Sequence, residues 1–546
     1  MVKYFKDKKV SIPSKDIRIY SNGYIYYLIS STYSKTGKRC DEKRIIIGKK
    51  CNDKEMIPNE NYYICFKPND ILVEPPKIDS YLHFGQYIAC KEVLKLLGAY
   101  DALSKSFDDK FVDKLIALSL SMFSCENCVS QNYDGWAFSN YSGLTTSLSS
   151  GNISEIYKSI TPEKVESFLS KYQNNYHQVF QNHNYLDCYA FDSTNQNTSS
   201  TNIEIAEFGK AKDPDNLKII NTAYITDEET GIPIYYEHFL GSLLDKNQIV
   251  RSNEKLNELG YQNLFFIFDR GYYSKNSIIE VMKNNKVALL VPETVSSTKK
   301  IIDNYIDTIK NKEEYYIPTY DVYGIKTVSS LFLSKELYVY IYYDDNTSKV
   351  ERDSIHGKLI SLESRIQSIS KLNDDVIRSY ETYFELNQGK EHIETKRKHD
   401  VIQSYLNRAG FFIVVSNRDI SVEEMIKIVK SKDSVEKSFR RIKSTFDAAK
   451  TYCHNGITYE GKMFVLFIAI LMSQGLFYYL RKYMKEISSR TLRTVMNELN
   501  KVLIYKSNKQ NKWLLKYALT KQIKEIYNYL NIDENKVQSY LDEVKL

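Results

Sequence analysis

Three acidic residues in this sequence stand where phosphodiester chemistry could be built. Asp192 closes the apolar run Tyr189-Ala-Phe191, and Asp269 closes the longer run Leu264-Phe-Phe-Ile-Phe268. Both runs read as strands with a carboxylate at or near the C-terminal end, the place where sites gather in α/β sheets. A lone aspartate there usually does no more than start a turn. Two of them, followed by Glu436 in a segment with helical periodicity, form a more specific pattern. Three convergent carboxylates can hold two divalent cations. Such a pair activates a water or a 3′-hydroxyl and stabilises the leaving oxygen of a phosphodiester.

The elements that must position these groups can be read from the same pattern. The segment from about Val422 to Phe446 predicts one helix, opened by Ser421 and Glu424 at capping-box spacing. Met425, Ile428, Val435, Phe439, Ile442 and Phe446 make its buried stripe. Lys432, Glu436, Arg440 and Lys443 share a face beside that stripe, so one acid stands among three cations. Taken alone, such a face is also what a solvated helix with ordinary charge pairs presents.

Stepping out from the helix, residues from 185 onward read as an α/β catalytic core. The Asp192 strand, Leu217 to Thr226 and Ile232 to Leu240 form a meander, the last two joined through Asp227-Glu-Glu-Thr-Gly231. A helix over about Lys246 to Leu259, the Asp269 strand, a helix from about Ser274 and the strand Val287–Val291 follow. That order is the order of a ribonuclease-H-like mixed sheet. Asp192 and Asp269 lie 77 residues apart (269 − 192), and 167 residues separate Asp269 from Glu436 (436 − 269). Residues 292–405 are therefore expected to be an inserted subdomain. Tyr315 to Asp344 is strand-like, and Lys349 to Leu386 is charged and helical. The core resumes at 406 with the strand Phe411–Val415 and runs to 480.

Around the core, residues 1–78 predict a β-rich N-terminal module with a turn at Asn22-Gly23. Its lysines and arginines interleave with tyrosines. That composition suits either a DNA-reading surface or a small scaffold with a solvated basic face. Residues 79–180 predict a helical domain, with a loop over Phe138 to Ser154 and a helix opening at Thr161-Pro162. Residues 481–546 predict a lysine-rich helical C-terminal region. Met463 to Leu480 is uncharged and long enough to cross a bilayer, yet it is interrupted by Ser473-Gln474-Gly475, and we expect a buried helix packed on the catalytic sheet rather than a membrane span.

Composition narrows the classes. With 42% hydrophobic residues in 546, the chain can build a large core, and general disorder is excluded. The net charge of +7 permits nucleic acid as a partner without demanding it. Eight scattered cysteines form no disulfide framework, and Cys125-Glu-Asn-Cys128 has no second pair to complete a zinc site. The charged opening Met1-Val-Lys-Tyr-Phe-Lys points to a reducing cytoplasm.

Taken together, the motifs resemble the bacterial insertion-sequence transposases of the Asp-Asp-Glu type. The resemblance is to the subgroup whose third carboxylate lies in a Tyr, Arg, Glu, Lys signature. Glu436 and Lys443 keep the spacing of its last two members. Lys432 stands where the Arg belongs, keeping the charge without the bidentate fork, and Val429 stands where the Tyr belongs. Phe191-Asp192-Ser-Thr194 and Asp269-Arg-Gly-Tyr272 are similar to the first and second aspartate motifs. Phe208 to Lys218, Gly231-Ile-Pro233, Gly241 to Asp245 and Gly410 to Asn417 also fit.

The resemblance implies a DNA transposase that cleaves transposon ends and transfers the strand to target DNA. It implies that Asp192, Asp269 and Glu436 are the catalytic and metal-binding residues. The ions would be two Mg²⁺, with Mn²⁺ as a substitute. Lys443, Arg440, Lys432, Arg270 and Tyr272 are expected near DNA phosphates. The implied partners are double-stranded DNA, as terminal inverted repeats and as target, and a second copy of the chain in a synaptic dimer. No membrane is implied, and the expected location is the bacterial cytoplasm at the nucleoid. Two other readings share these residues: a ribonuclease-H-like nuclease that cuts without joining, and a decayed transposase that only binds DNA.

Overall fold

The structure, a computed structural model, describes residues 8–33, 39–66, 81–126, 129–180, 188–210, 216–259, 261, 263–366, 380–388, 393–431, 450–486, 491–507 and 512–544. The chain divides into two units, Met1–Tyr81 and Leu82–Leu546.

The first unit is an antiparallel sheet of β1 (Val10–Ser11), β2 (Ile17–Ile19), β3 (Tyr24–Tyr33), β4 (Arg39–Lys50) and β5 (Glu55–Pro58), in the order β1-β5-β4-β3-β2. Gly23, at φ 79°, makes the turn into β3 in the left-handed conformation that suits glycine. Ile25, Ile47 and Met56 on one face bury against Tyr62 and Tyr63 of α1 (Glu60–Phe66). Elsewhere on the sheet, the exposed Arg44 lies 5.3 Å from the ring of Tyr20 and 5.6 Å from that of Tyr26, and Lys49 lies 5.7 Å from the ring of Tyr24. Over residues 1–81, sixteen Lys and Arg stand against ten Asp and Glu, so this unit carries +6 of the chain's +7.

The second unit begins with β6 (Tyr81–His83) and six helices: α2 (Gly85–Leu96), α3 (Ala99–Ser104), α4 (Asp109–Cys125), α5 (Tyr133–Ala137), α6 (Ser150–Lys158) and α7 (Pro162–Phe180). The polar stretch read as a loop to Ser154 turns helical at Ser150. Ser149 and Asn152 form a reciprocal capping box there, a local signal stronger than the Ser/Asn-rich composition.

A nine-stranded sheet follows, in the order β12-β13-β14-β17-β11-β10-β7-β8-β9. Its first half is β7 (Cys188–Thr198), β8 (Lys218–Asp227), β9 (Pro233–Leu240), α8 (Asp245–Glu258), β10 (Phe265–Phe268), α9 (Lys275–Val281) and β11 (Lys286–Val291). The meander β7-β8-β9 is antiparallel, because tight connections suffice. The strands β10 and β11 run parallel to β7, after helical crossovers. All four residues of β10 are buried, as a strand covered on both faces requires.

The segment 292–405, read from the sequence as a single insertion, divides in the structure. After α10 (Ser296–Ile309), the strands β12 (Tyr316–Ile317), β13 (Val322–Ser329) and β14 (Leu337–Tyr343) extend the same large sheet. The remainder, α11 (Asp345–Ile366), β15 (Phe384–Gln388), β16 (Ile393–Arg397) and α12 (His399–Arg408), builds a small core of its own around Leu359, Tyr380, Phe384 and Ile402. β17 (Phe411–Ser416) then inserts between β11 and β14, antiparallel to both. Helix α13 (422–431) opens with the expected capping box. The Ser421 N–H donates to Glu424 Oε2 at 2.9 Å, and the Glu424 N–H donates to Ser421 Oγ at 3.1 Å.

The long apolar stretch is α14 (Gly456–Glu486), and 83% of its most apolar window is buried inside the protein. It packs against α4, α2 and α6, and meets the sheet at β9, where the rings of Phe467 and Tyr236 lie 4.7 Å apart. Gly461 lets α6 approach: a Cβ there would stand 2.0 Å from the Tyr157 carbonyl oxygen. The C-terminal region is not purely helical. Between α15 (Leu492–Leu499) and the pair α16 (Lys521–Tyr529) and α17 (Glu534–Asp542) lies a hairpin of β18 (Leu503–Ser507) and β19 (Lys512–Leu515), which joins β6 in a three-stranded sheet.

The hairpin after β8 carries a pH-sensitive group. Asp227 is buried and accepts hydrogen bonds from the Glu229 and Thr230 N–H groups at 2.9 Å each. Burial nonetheless pushes its carboxyl up to about 6. Between its ordinary range near 4 and about 6, the folded chain keeps a proton that the unfolded chain has released. Stability therefore falls as pH rises through that window, by on the order of 2 kcal/mol. The amide variant Asp227→Asn keeps the acceptor and removes the charge. Its urea midpoint is expected to be flat between pH 4 and 6 where the wild type declines; parallel profiles would remove Asp227 as the cause.

Candidate active site

The apolar runs ahead of the two aspartates become β7 and β10, and their pairing decides where the carboxylates fall. Phe265, Phe266 and Ile267 pair in parallel with Cys188, Tyr189 and Ala190. Continued two residues, that register sets Asp269 beside Asp192, on neighbouring strands about 4.8 Å apart. Both residues are half-buried. The Oδ1 of Asp192 accepts from the Ser193 N–H and that of Asp269 from the Arg270 N–H, each at 2.8 Å, so the two carboxylates are oriented by the same local device.

Asp269 also caps the short turn Arg270–Tyr272. That turn tucks Tyr272 inside instead of presenting it to a ligand. The ring lies 5.4 Å from Phe191 and 6.0 Å from Phe268, the residue is 5% exposed, and its hydroxyl donates to Ser193 Oγ at 3.1 Å. Tyr272 braces the two aspartate strands against each other, so the expectation of a phosphate contact gives way to a positioning one. Phe268 lies just before the motif, but Phe191, which completes the apolar surroundings, is 81 residues earlier (272 − 191), so the motif alone does not show the burial. Arg270 is exposed beside Asp269 and pairs with Glu293 at 3.0 Å.

The face of β7 that bears Asp192 also bears Thr194 and Gln196, by the two-residue period of a strand. Tyr459 of α14 donates to Gln196 Oε1 at 2.9 Å. Thr222 on β8, opposite Thr194, meets His238 Nδ1 on β9 at 2.9 Å. Burial holds the His238 imidazole below its ordinary range, with Glu460 pulling the other way. This buried polar row was invisible in the sequence, because its members come from four separate elements.

Lys432, Glu436, Arg440 and Lys443 lie outside the described residues. The residues on either side of them are placed. Ser431, the last described residue before the Glu436 segment, donates to Glu228 Oε2 at 3.0 Å, and the Glu228 N–H donates to Cys188 O at the start of β7. Lys450 bridges to Asn197, and the Thr451 N–H donates to Asn197 O at 3.0 Å, at the far end of β7. The two flanks of the Glu436 segment thus dock at opposite ends of the strand that carries Asp192. Val429, in the signature's Tyr position, packs half-buried against the core.

A mixed sheet with two aspartates on neighbouring central strands is an arrangement shared by a class of proteins that process phosphodiesters. The comparisons place the chain within it. The family described as transposase DDE domain matches residues 187–472, and the chain belongs to that family. It is a DNA transposase. Among solved structures, it is similar to a piggyBac transposase in a cryo-EM synaptic complex with hairpin DNA. The identity is 10% and the TM-score 0.34, over 84% of this chain and 85% of that one. No curated protein matches it.

Proposed function

We propose that the chain cleaves DNA at transposon ends and joins the freed 3′ ends to target DNA, through a site made of Asp192, Asp269 and Glu436. The parallel register that sets Asp192 beside Asp269 carries this reading. The sheet order β9-β8-β7-β10-β11, antiparallel through the meander and parallel thereafter, supports a ribonuclease-H-like core.

The donor set suits hard divalent cations, since Asp192 and Asp269 are half-buried and Glu436 offers a third carboxylate. Asp192, Asp269 and Glu436 would hold Mg²⁺, or Mn²⁺ in its place. Such ions supply Lewis acidity toward a phosphoryl oxygen and a lowered pKa for an attacking hydroxyl. The protein's own contribution is placement. Backbone N–H groups fix both aspartates, Tyr272 locks the strands that bear them, and Arg270 stands beside Asp269 with a cation for a phosphate. Lys432, Arg440 and Lys443, close to Glu436 in the sequence, would hold the strand by charge-assisted hydrogen bonds.

The N-terminal unit, with most of the net charge and its Arg44–Tyr20–Tyr26 and Lys49–Tyr24 stacks, is the surface we assign to the DNA backbone. Cutting two ends together calls for a dimer, working in a bacterial cytoplasm at the nucleoid.

The test is end cleavage and strand transfer on a DNA fragment carrying the element's own termini, with Mg²⁺ and with EDTA. New 3′-hydroxyl ends and joined products in Mg²⁺ alone are expected. Cutting without joining would convert the assignment to a nuclease, and binding without cutting in any metal would reduce the protein to a DNA-binding relic.

A further inference from the structure

The edge of the sheet that carries Asp192 and Asp269 holds a further acid, Glu293. β11 pairs in parallel with β10, Leu289 against Phe268, so both strands leave the sheet on the same side, the side where sites gather in α/β sheets. β10 leaves through Asp269 and Arg270, and β11 leaves through Pro292 and Glu293. The second of these turns is firmly mounted. The Pro292 carbonyl accepts from the Val295 N–H at 3.2 Å and from the Thr298 hydroxyl at 3.1 Å, and Thr298 is buried at the start of α10. Proline adds its own fixed φ. Glu293 is thereby presented to Arg270, and its Oε1 accepts from Arg270 Nη1 at 3.0 Å.

As a stabilising contact this pair is minor. The Arg270 side chain is 42% exposed and that of Glu293 54%, and an ion pair in such a setting contributes about 0–1 kcal/mol. Its consequence lies in where it puts a charge. Arg270 follows Asp269 directly, and its N–H already donates to Asp269 Oδ1 at 2.8 Å. A guanidinium forms two parallel hydrogen bonds with a carboxylate. Arg270 swung onto the aspartate pair would therefore occupy oxygens that a divalent cation needs. Glu293 offers the guanidinium a carboxylate outside the pair. Glu351 of α11 lines the same cleft as Glu293, but its Oε2 is engaged by the Gly410 N–H at 2.7 Å.

We propose that Glu293 is a positioning residue: it holds the Arg270 guanidinium off the Asp192 and Asp269 carboxylates, so that the pair stays open to a divalent cation until a DNA phosphate takes Arg270 over. The inference rests on the transposase reading. An exposed, weak pair suits this role, because a phosphate has to displace the carboxylate.

The experiment is Mn²⁺ uptake by the full chain without DNA, read from the electron paramagnetic resonance signal of the free ion. Glu293→Gln is expected to raise the Mn²⁺ Kd about tenfold, since a cation placed on the pair opposes the incoming one. Arg270→Gln and the double variant Arg270→Gln/Glu293→Gln should both stay within about threefold of the wild type, because no guanidinium is then left to misplace. Glu293→Asp, which keeps the charge, should recover most of the loss. Affinity for a labelled duplex carrying the element's terminal sequence, measured in EDTA, should move the other way. Glu293→Gln should bind it at least as tightly as the wild type, having lost a negative charge beside the phosphate site. A general loss of structure would weaken both.

An unchanged Mn²⁺ Kd in Glu293→Gln would overturn this role and leave the transposase reading standing. So would an additive cycle, in which Arg270→Gln tightens Mn²⁺ as much as Glu293→Gln weakens it, since Glu293 would then be one charge in the field of the site. Mn²⁺ uptake that persists unchanged in Asp192→Asn/Asp269→Asn, or no uptake by the wild type, would overturn the carboxylate pair as a metal site and this inference with it.

Discussion

Replacing Asp192 or Asp269 with asparagine is expected to cut the rate of end cleavage by at least about 10³-fold while the protein stays folded and bound to DNA. Asparagine keeps the shape and the Oδ1 acceptor for the Ser193 or Arg270 N–H. It removes the negative charge that draws a divalent cation into the pair. Charge stabilisation at such a site contributes several kcal/mol to the transition state, and each 1.4 kcal/mol is about tenfold in rate. In the proposed site the two residues act together, so the double variant should be scarcely slower than either single one. Glu436→Gln should fall into the same class. The measurement is single-turnover cleavage in Mg²⁺, with DNA binding and melting temperature alongside. Either aspartate variant retaining a tenth or more of wild-type cleavage would remove the pair from the chemistry. A normal rate for Glu436→Gln with both aspartate variants inactive would leave the pair and send the search for the third ligand elsewhere.

Phe467→Ala is expected to be the most damaging truncation in the core, at about 3–5 kcal/mol. Phe467 is 1% exposed on the middle of α14, with its ring 4.7 Å from Tyr236 on the sheet and 6.5 Å from both Phe168 and Tyr172 of α7. It joins three layers of the second unit, and none of its neighbours can collapse into the space without breaking a ring contact of its own. Equilibrium urea unfolding should show a lower midpoint at an unchanged slope. A loss under about 1 kcal/mol would mean that α14 is not the helix on which this core is built. The same variant separates a core helix from an apolar segment with another destination, because only the former holds the sheet and the helices together.

The features legible in the sequence are those whose physics is local. Apolar runs interrupted by Asp192 and Asp269 marked two strands, since a strand buried on both faces must be continuously apolar. Ser421 and Glu424 marked the start of α13, since the cap is made within four residues. The meander was readable because its hairpins join neighbours. Where local signals competed, the reading slipped: Ser149 and Asn152 start α6 inside a stretch whose composition suggested a loop.

What the sequence by itself determined is the identity of the acids, the apolar runs that lead into them and the family to which they point; the strand expected to end at Asp192 instead runs on to Thr198, because it pairs with β8 from Tyr189 to Thr198. What only the tertiary structure decided is adjacency. The register of β7 against β10 is set by packing between residues 77 positions apart in the chain (269 − 192), and no local rule measures it. The same holds for β12 to β14, which spend their backbone hydrogen bonds on the catalytic sheet instead of on a separate subdomain. It holds for Tyr272, turned inward by Phe191 and Phe268, and for the close approach of α6 to α14 at Gly461. Burial and pairing are properties of surfaces brought together, and residue type and spacing fix only what each surface can offer.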